Sequence, residues 1–358
     1  MLYHLLVPLK DQISAFNVFQ YLTFRSVGAA LTALLVAFIV GPLLIRLLET
    51  RQVGQTVRDD PPDRHQTKAG TPTMGGVLIL FALLTSTLLW AEWTNPYVWV
   101  VVGVTVGCGA LGFFDDYYKA IRKNPTGIRA RTKLIWQFLI ASVAAMTLYH
   151  LPEFDGQISL PLLKGFHPDI GMAYIPVTVL LIVGFSNAVN LTDGLDGLAI
   201  GPVLITAGVI GLFSYVCGHA VIADYLELKH IPGAGTLAIF CTAMMGAGLG
   251  FLWFNTYPAS VFMGDTGALA LGGALGVMAV IIRQELVLII AGGIFIVETL
   301  SVIVQVVSYK WRGRRVFLMA PIHHHYELKG WPEPQIIVRF WIVSVILALV
   351  SLSLLKLR

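Results

Sequence analysis

Charge is scarce in this chain. Lys, Arg, Asp and Glu make up 12% of its 358 residues, about half the ~25% of an average soluble domain. With 56% apolar residues, a soluble fold of this size could not cover its surface with polar groups. Cysteine is also rare: Cys108, Cys217 and Cys241 each lie in an apolar stretch with no C-x-x-C pair. They read as packing residues, and no disulfide framework follows. There is no Walker A loop, no dinucleotide fingerprint and no EF-hand loop, so none of those devices for holding phosphate or calcium is in play. Repeats, low-complexity tracts and soluble-domain linkers are missing as well. The first twenty residues lack a basic n-region and a small-residue cleavage site, and read as an interfacial lead-in rather than a signal peptide.

What the chain does have is long uncharged runs. A helix needs ~20 mostly apolar residues to cross the ~30 Å hydrocarbon core. Ten runs meet that need: 26–45, 69–91, 93–114, 134–152, 170–192, 197–223, 231–264, 266–282, 286–309 and 336–355. The seventh is too long for one helix, so 254–264, with Pro258, is expected to be a loop. Glu298 is the one charge in the ninth run, where Gly292 and Gly293 also predict an interruption, and Arg339 is the one charge in the tenth, near enough to an end to snorkel. The expected fold is therefore all-α: one polytopic membrane domain over 1–358 with ten transmembrane helices, one of them interrupted. Seventeen of the 24 Lys and Arg residues fall in three loops on one side. The positive-inside rule makes that side cytoplasmic and leaves both termini periplasmic. The cytoplasmic loops would be about 49–74, 115–133, 190–198, 254–265 and 309–335.

The polar constellations gather on that same side. Phe113-Phe114-Asp115-Asp116-Tyr117-Tyr118-Lys119 closes the third span. Its adjacent carboxylates imply either a hydrated helix end or a nearby cation. In Asn187-Ala188-Val189-Asn190-Leu191-Thr192-Asp193-Gly194-Leu195-Asp196 the polar residues recur every third position, one stripe if helical. Asp265, in the segment from Asn255 to Gly267, stands where a helix N-cap is expected, and capping is its plain role. Phe262 beside it offers a ring for stacking or an interface anchor. His323, His324 and His325 cannot all face one metal, so zinc is a poor fit; they suit a loop offering donors to an anion. Lys68 and Thr73 precede the second span and Lys133 opens the fourth. The lysines also serve the charge bias alone. Five acids (Asp115, Asp116, Asp193, Asp196 and Asp265) at one membrane face would repel an anionic substrate. A hard divalent cation resolves this, and oxygen ligands suit Mg2+. Phosphoryl transfer follows as the expected chemistry.

The segments GTPTMGG, GFFDDYYK, NAVNLTDGLDGLA, FLWFNTYPASVFMGDTG and APIHHHYELKGWPEP resemble the phospho-N-acetylmuramoyl-pentapeptide-transferase (MraY, translocase I) family. The aspartate motifs are shared with the wider polyprenyl-phosphate sugar-1-phosphate transferase superfamily, whereas the HHH loop with ELKGWPEP is more specific to the muramoyl branch. The resemblance runs from about residue 17 to the end of the sequence. It implies a bacterial inner-membrane enzyme, facing the cytoplasm, that moves phospho-MurNAc-pentapeptide from UDP-MurNAc-pentapeptide to undecaprenyl phosphate. The products are lipid I and UMP. It also implies Mg2+, a membrane-lipid environment and a homodimer, with no nucleic-acid partner. By motif position, Asp265 would be the main Mg2+ ligand. Asp115 and Asp116 would handle the lipid phosphate and share the metal, one of them a candidate base or nucleophile. Asp193, Asn187 and Asn190 would complete the catalytic cluster. Phe262, Asn255 and Asp196 would line a uridine pocket. Lys68, Thr73, Lys133, Gln305 and His323, His324 and His325 would contact nucleotide, diphosphate or sugar. Two rivals remain: a GlcNAc-1-phosphate transferase of the same superfamily, and an ion-coupled transporter. The second would place its acids near mid-bilayer and show repeats.

Overall fold

A computed structural model describes residues 1–51, 71–120, 122, 124, 126–152, 154–159 and 168–355. Among the described residues the architecture is all-helical, without a named strand, and an isolated bridge joins Gln157 and Asp169. A short α1 (Leu2–Leu6) leads into α2 (Leu22–Thr50), α3 (Gly76–Trp90), α4 (Pro96–Ala120) and α5 (Ala130–Tyr149). Then follow α6 (Tyr174–Thr192), α7 (Ile200–Cys217), α8 (Ala220–Tyr225), α9 (Leu237–Asn255) and α10 (Gly264–Ile281). The last are α11 (Glu285–Ala291), α12 (Gly293–Arg312), α13 (Ile322–Leu328) and α14 (Glu333–Ser353). Nine of the described helices are long and apolar enough to cross a membrane, and α3 is a shorter apolar helix. Each expected run therefore holds a helix. The second is shorter than expected: α3 starts at Gly76, not near 69, because residues 72–76 are drawn into backbone pairing with 262–263. At ~1.5 Å per residue its 15 residues span about 22 Å, short of the ~30 Å core.

The centre of the bundle is α10, in which every residue from Thr266 to Ile281 is buried. Lipid tails are as apolar as leucine, so close packing rather than water exclusion must hold such a helix. Gly272 and Gly276 provide it: a Cβ at Gly272 would stand 2.3 Å from the Phe185 carbonyl oxygen, and one at Gly276 2.9 Å from Ile182 Cα, both on α6. On its other sides α10 packs on α3 and α4, while α9 joins α2 to α7. The outer helices show the complementary pattern. Leu31, Leu35, Ile39 and Leu43 on α2, and Ile135, Leu139 and Val143 on α5, are exposed at helical spacing, as lipid-facing stripes are.

The ninth span is broken. Helix α11 ends at Ala291, Gly292 adopts φ −88°, ψ 18°, and α12 restarts at Gly293. A side chain at Gly292 would strike the Phe185 ring at 2.7 Å, so the break is seated on α6. The expected interruption thus falls at the glycines alone; Glu298 lies inside the continuous helix α12.

Candidate active site

The polar motifs meet at one end of the bundle, where α4, α6, α9 and α12 finish and α5, α10 and α14 begin. Two boundaries differ from expectation there. Helix α4 runs through the aspartate pair to Ala120, so Asp115 and Asp116 sit on its last turns rather than in a loop. Helix α6 stops at Thr192, so the three-residue stripe is helical only at Asn187 and Asn190, and Asp193 begins the turn beyond it.

An acid near a helix C-terminus opposes the helix dipole, and each of the two is compensated across the bundle. Asp116 is buried on α4, yet it completes the first turn of α10. Its Oδ1 accepts the Asp265 N–H at 3.1 Å, and its Oδ2 accepts the Thr266 N–H at 2.9 Å and hydroxyl at 2.6 Å. The N-capping expected of Asp265 is therefore performed by Asp116, because Asp265 lies within the first turn and its carboxylate points elsewhere. Gly264, at φ +72°, lets the chain turn there; a Cβ would meet Asp116 Oδ2 at 2.7 Å and Thr73 Oγ1 at 3.1 Å. Asp115 is fully buried, accepts the Ile128 N–H at 2.7 Å, and pairs with Lys119 at 2.5 Å and Lys133 at 2.7 Å. Lys133 also reaches Asp265 at 2.6 Å, and Lys119 does so at 3.3 Å.

One oxygen from each of Asp115, Asp116 and Asp265 lies within 4.8 Å of the others. These residues come from two segments 149 positions apart. A donor set made only of carboxylate oxygens fits a hard divalent cation. The two ammonium groups lying between Asp115 and Asp265 show that the pocket demands positive charge. Asp193 adjoins the cluster: burial first, then the Asp265 and Asp116 charges, pushes its carboxyl up to about 8, while the Gly264 N–H draws it back.

The remaining expected residues fall around this cluster in distinct settings. Asn187 donates to Gln137 Oε1 at 2.9 Å, and Gln137 is within reach of the Ser186 hydroxyl at 3.3 Å. Asn190 is half-buried three residues on. Asp196 accepts the Ala259 N–H at 3.0 Å, and Asn255 accepts the Gly197 N–H at 3.0 Å while donating to the Val261 carbonyl at 2.8 Å. These two therefore clasp the turn after Asp193 to the loop carrying Phe262. Phe262 is half-buried; its backbone pairs with Pro72 and Gly75 at 2.8 Å each, which seats Thr73 beside it. Gln305 is bonded to the backbone of Val316 and Phe317 through both ends of its amide, and so pins the following loop. The three histidines diverge as consecutive helical residues must. His323 pairs with Glu298, His324 with Glu327, and His325 accepts the Leu318 N–H. Lys68 lies outside the described residues.

Sequence reasoning missed the site contacts of Lys119, Gln137, Thr266 and Glu298. Lys119 was legible as the i+4 neighbour of Asp115 on a continuing helix. The others have partners so distant in sequence that no spacing reveals them.

Comparison with known proteins identifies relatives of the chain. Residues 98–283 match the family described as Glycosyl transferase family 4, and residues 68–80 match a phospho-N-acetylmuramoyl-pentapeptide-transferase signature. The chain is 58% identical over its whole length, and that of the relative, to the phospho-N-acetylmuramoyl-pentapeptide-transferase of Pelobacter propionicus. The same figures hold for the Geobacter sp. (strain M21) protein of that name. The protein so named from Desulfatibacillum aliphaticivorans is 54% identical, again with both chains fully covered.

Proposed function

Since this chain belongs to the phospho-N-acetylmuramoyl-pentapeptide-transferase family, we propose that it transfers phospho-MurNAc-pentapeptide from UDP-MurNAc-pentapeptide to undecaprenyl phosphate. Lipid I and UMP are the products. The observation that carries the reading is the convergence of Asp115, Asp116 and Asp265 within 4.8 Å, at the bundle end that also holds Asp193 and the three histidines. The charge bias read from the sequence, 17 of 24 Lys and Arg residues on the side that carries these motifs, supports a site that faces the cytoplasm. Only there can a soluble nucleotide meet a lipid phosphate at headgroup level. On the same reading the protein would be a ten-span inner-membrane enzyme with both termini periplasmic, and would work as a homodimer.

The transfer is a single displacement. An oxygen of the lipid phosphate bonds the β-phosphorus as that phosphorus loses its bond to the bridging oxygen, which leaves with UMP. A phosphate monoester is already nucleophilic at neutral pH, so alignment matters more than a strong base. Asp115, Asp116 and Asp265 would hold Mg2+, which when bound neutralises phosphate charge. Lys119 and Lys133 supply further positive charge for the diphosphate. Asn187, held by Gln137, and Asn190 present amides to the sugar phosphate beside Asp193. Phe262 stacks on the uracil, with Asp196 and Asn255 shaping the loop that holds it. Thr73, Gln305 and the histidines would contact nucleotide, diphosphate or sugar, a role also expected of Lys68, which lies outside the described residues. The exposed apolar residues of α12, such as Leu300, Val304 and Val307, offer a surface to the prenyl chain.

Purified protein given both substrates and Mg2+ should release UMP only when lipid and metal are both present; release without the lipid would remove the reading. An acyl-phosphate trapped on Asp115 or Asp116 would replace the single displacement by a two-step route. Phe262→Ala should weaken binding of a uridine nucleotide about tenfold, within the ~1–3 kcal/mol of base–aromatic stacking. Unchanged affinity in a titration with UMP would exclude the stacking.

A further inference from the structure

Glu298 is fully buried in α12, a helix long and apolar enough to cross the membrane, where an ionisable group is costly to keep. Its Oε1 pairs with His323 Nδ1 at 3.1 Å, and His323 is equally buried. Its other oxygen, and the other ring nitrogen of His323, are buried with no hydrogen-bond partner among the described residues. That second nitrogen, Nε2, lies against the turn after Asp193: a Cβ built on Gly194 would stand 2.2 Å from it. The glycine thus leaves room for the ring edge at the catalytic turn. His323 is wedged between the broken ninth span and that turn, with one nitrogen held by α12 and the other buried against the turn.

A buried, half-satisfied pair of this kind is poorly explained as a source of stability, since burying charge costs more than an apolar contact of the same shape. It does fix a proton. A carboxylate can only accept, so it selects the imidazole tautomer with hydrogen on Nδ1 and leaves the lone pair on Nε2. We propose that Glu298 is a positioning residue of the transfer reaction, setting the tautomer and orientation of His323 so that Nε2, as an acceptor, braces the turn that carries Asp193. This inference rests on the transferase reading of the same site. It assigns Glu298 a purpose that its place in an apolar helix does not.

The test compares Glu298→Leu with Glu298→Gln. Both preserve volume, but only glutamine keeps an oxygen for the Nδ1 hydrogen. Nitrogen-15 NMR of histidine-labelled full-length protein in detergent, with the His323 signal assigned by its loss in His323→Gln, should show the Nδ1-protonated tautomer in the wild type and in Glu298→Gln. Glu298→Leu should lose that preference and lose kcat by about 10- to 100-fold, the range for removing a group that orients a working histidine. KM for both substrates should stay unchanged, and Glu298→Gln should recover most of kcat. A Glu298→Leu enzyme with wild-type kcat would overturn the proposal, as would a loss of kcat with the His323 tautomer unaltered. If the wild type releases no UMP at all, the parent reading fails, while the NMR comparison still decides whether Glu298 sets the tautomer.

Discussion

Asp265→Ala is expected to abolish turnover, by ~10^3-fold or more, in a protein that still folds. The figure follows from removing one preorganised charge from a phosphoryl-transfer site, where single electrostatic groups contribute ~10^2–10^3-fold and a metal-holding carboxylate at least as much. The fold survives because Asp265 carries little of it. Its backbone N–H, not its carboxylate, enters the α10 cap, and the carboxylate is the most exposed of the three, at 15% against 0% for the Asp115 side chain. Both ammonium groups that touch it keep Asp115 as a partner. UMP release and a thermal melt on the same preparation check both halves of the statement. Near-normal turnover would remove Asp265 from the metal site. A collapsed melt would show that the carboxylate is structural.

Gly112→Ala should be nearly as damaging without touching a charged group. A Cβ at Gly112 would stand 2.3 Å from the Asp265 carbonyl oxygen and 2.6 Å from the Thr266 nitrogen. Both are backbone atoms of the first turn of α10, so neither can rotate aside. The added methyl must push α4 away from α10, stretching the three Asp116 bonds that align them. Overpacking of this kind costs about 1–3 kcal/mol of stability, and displacing a catalytic group by ~1 Å costs about 10^2-fold in rate. Gly103→Ala on the same helix is the control: nothing lies within 4 Å of its Cβ position, so activity and melting temperature should match the parent protein. Equal behaviour of the two variants would mean that contact between α4 and α10 does not set the site.

Much of the architecture was legible because a bilayer imposes a coarse demand. Ten apolar runs appear in the sequence, and each holds a helix, since length and hydropathy decide a span without reference to its neighbours. The loop at 254–264 and the break at Gly292 were visible for the same local reasons. Helix ends were not. Helix α4 continues through two adjacent carboxylates because Lys119, Lys133 and the start of α10 compensate them, and only Lys119 is near in sequence. Helix α3 starts late because Gly75 and Gly76 bond to Phe262 and Met263. Asp265 looked like an N-cap because capping is normally local; here the cap comes from another helix.

The candidate site divides along the same line. Which side chains could carry chemistry, and that they lie at one membrane face, was already determined by residue type, hydropathy and charge bias. Which carboxylate caps a helix, which faces the lysines and which histidine nitrogen meets the turn after Asp193 was decided only by the tertiary structure. Those pairings join groups more than a hundred positions apart, such as Asp116 with Thr266 and Lys133 with Asp265. A hydrogen bond depends on distance and direction in space, and the order of residues along a chain does not encode either directly.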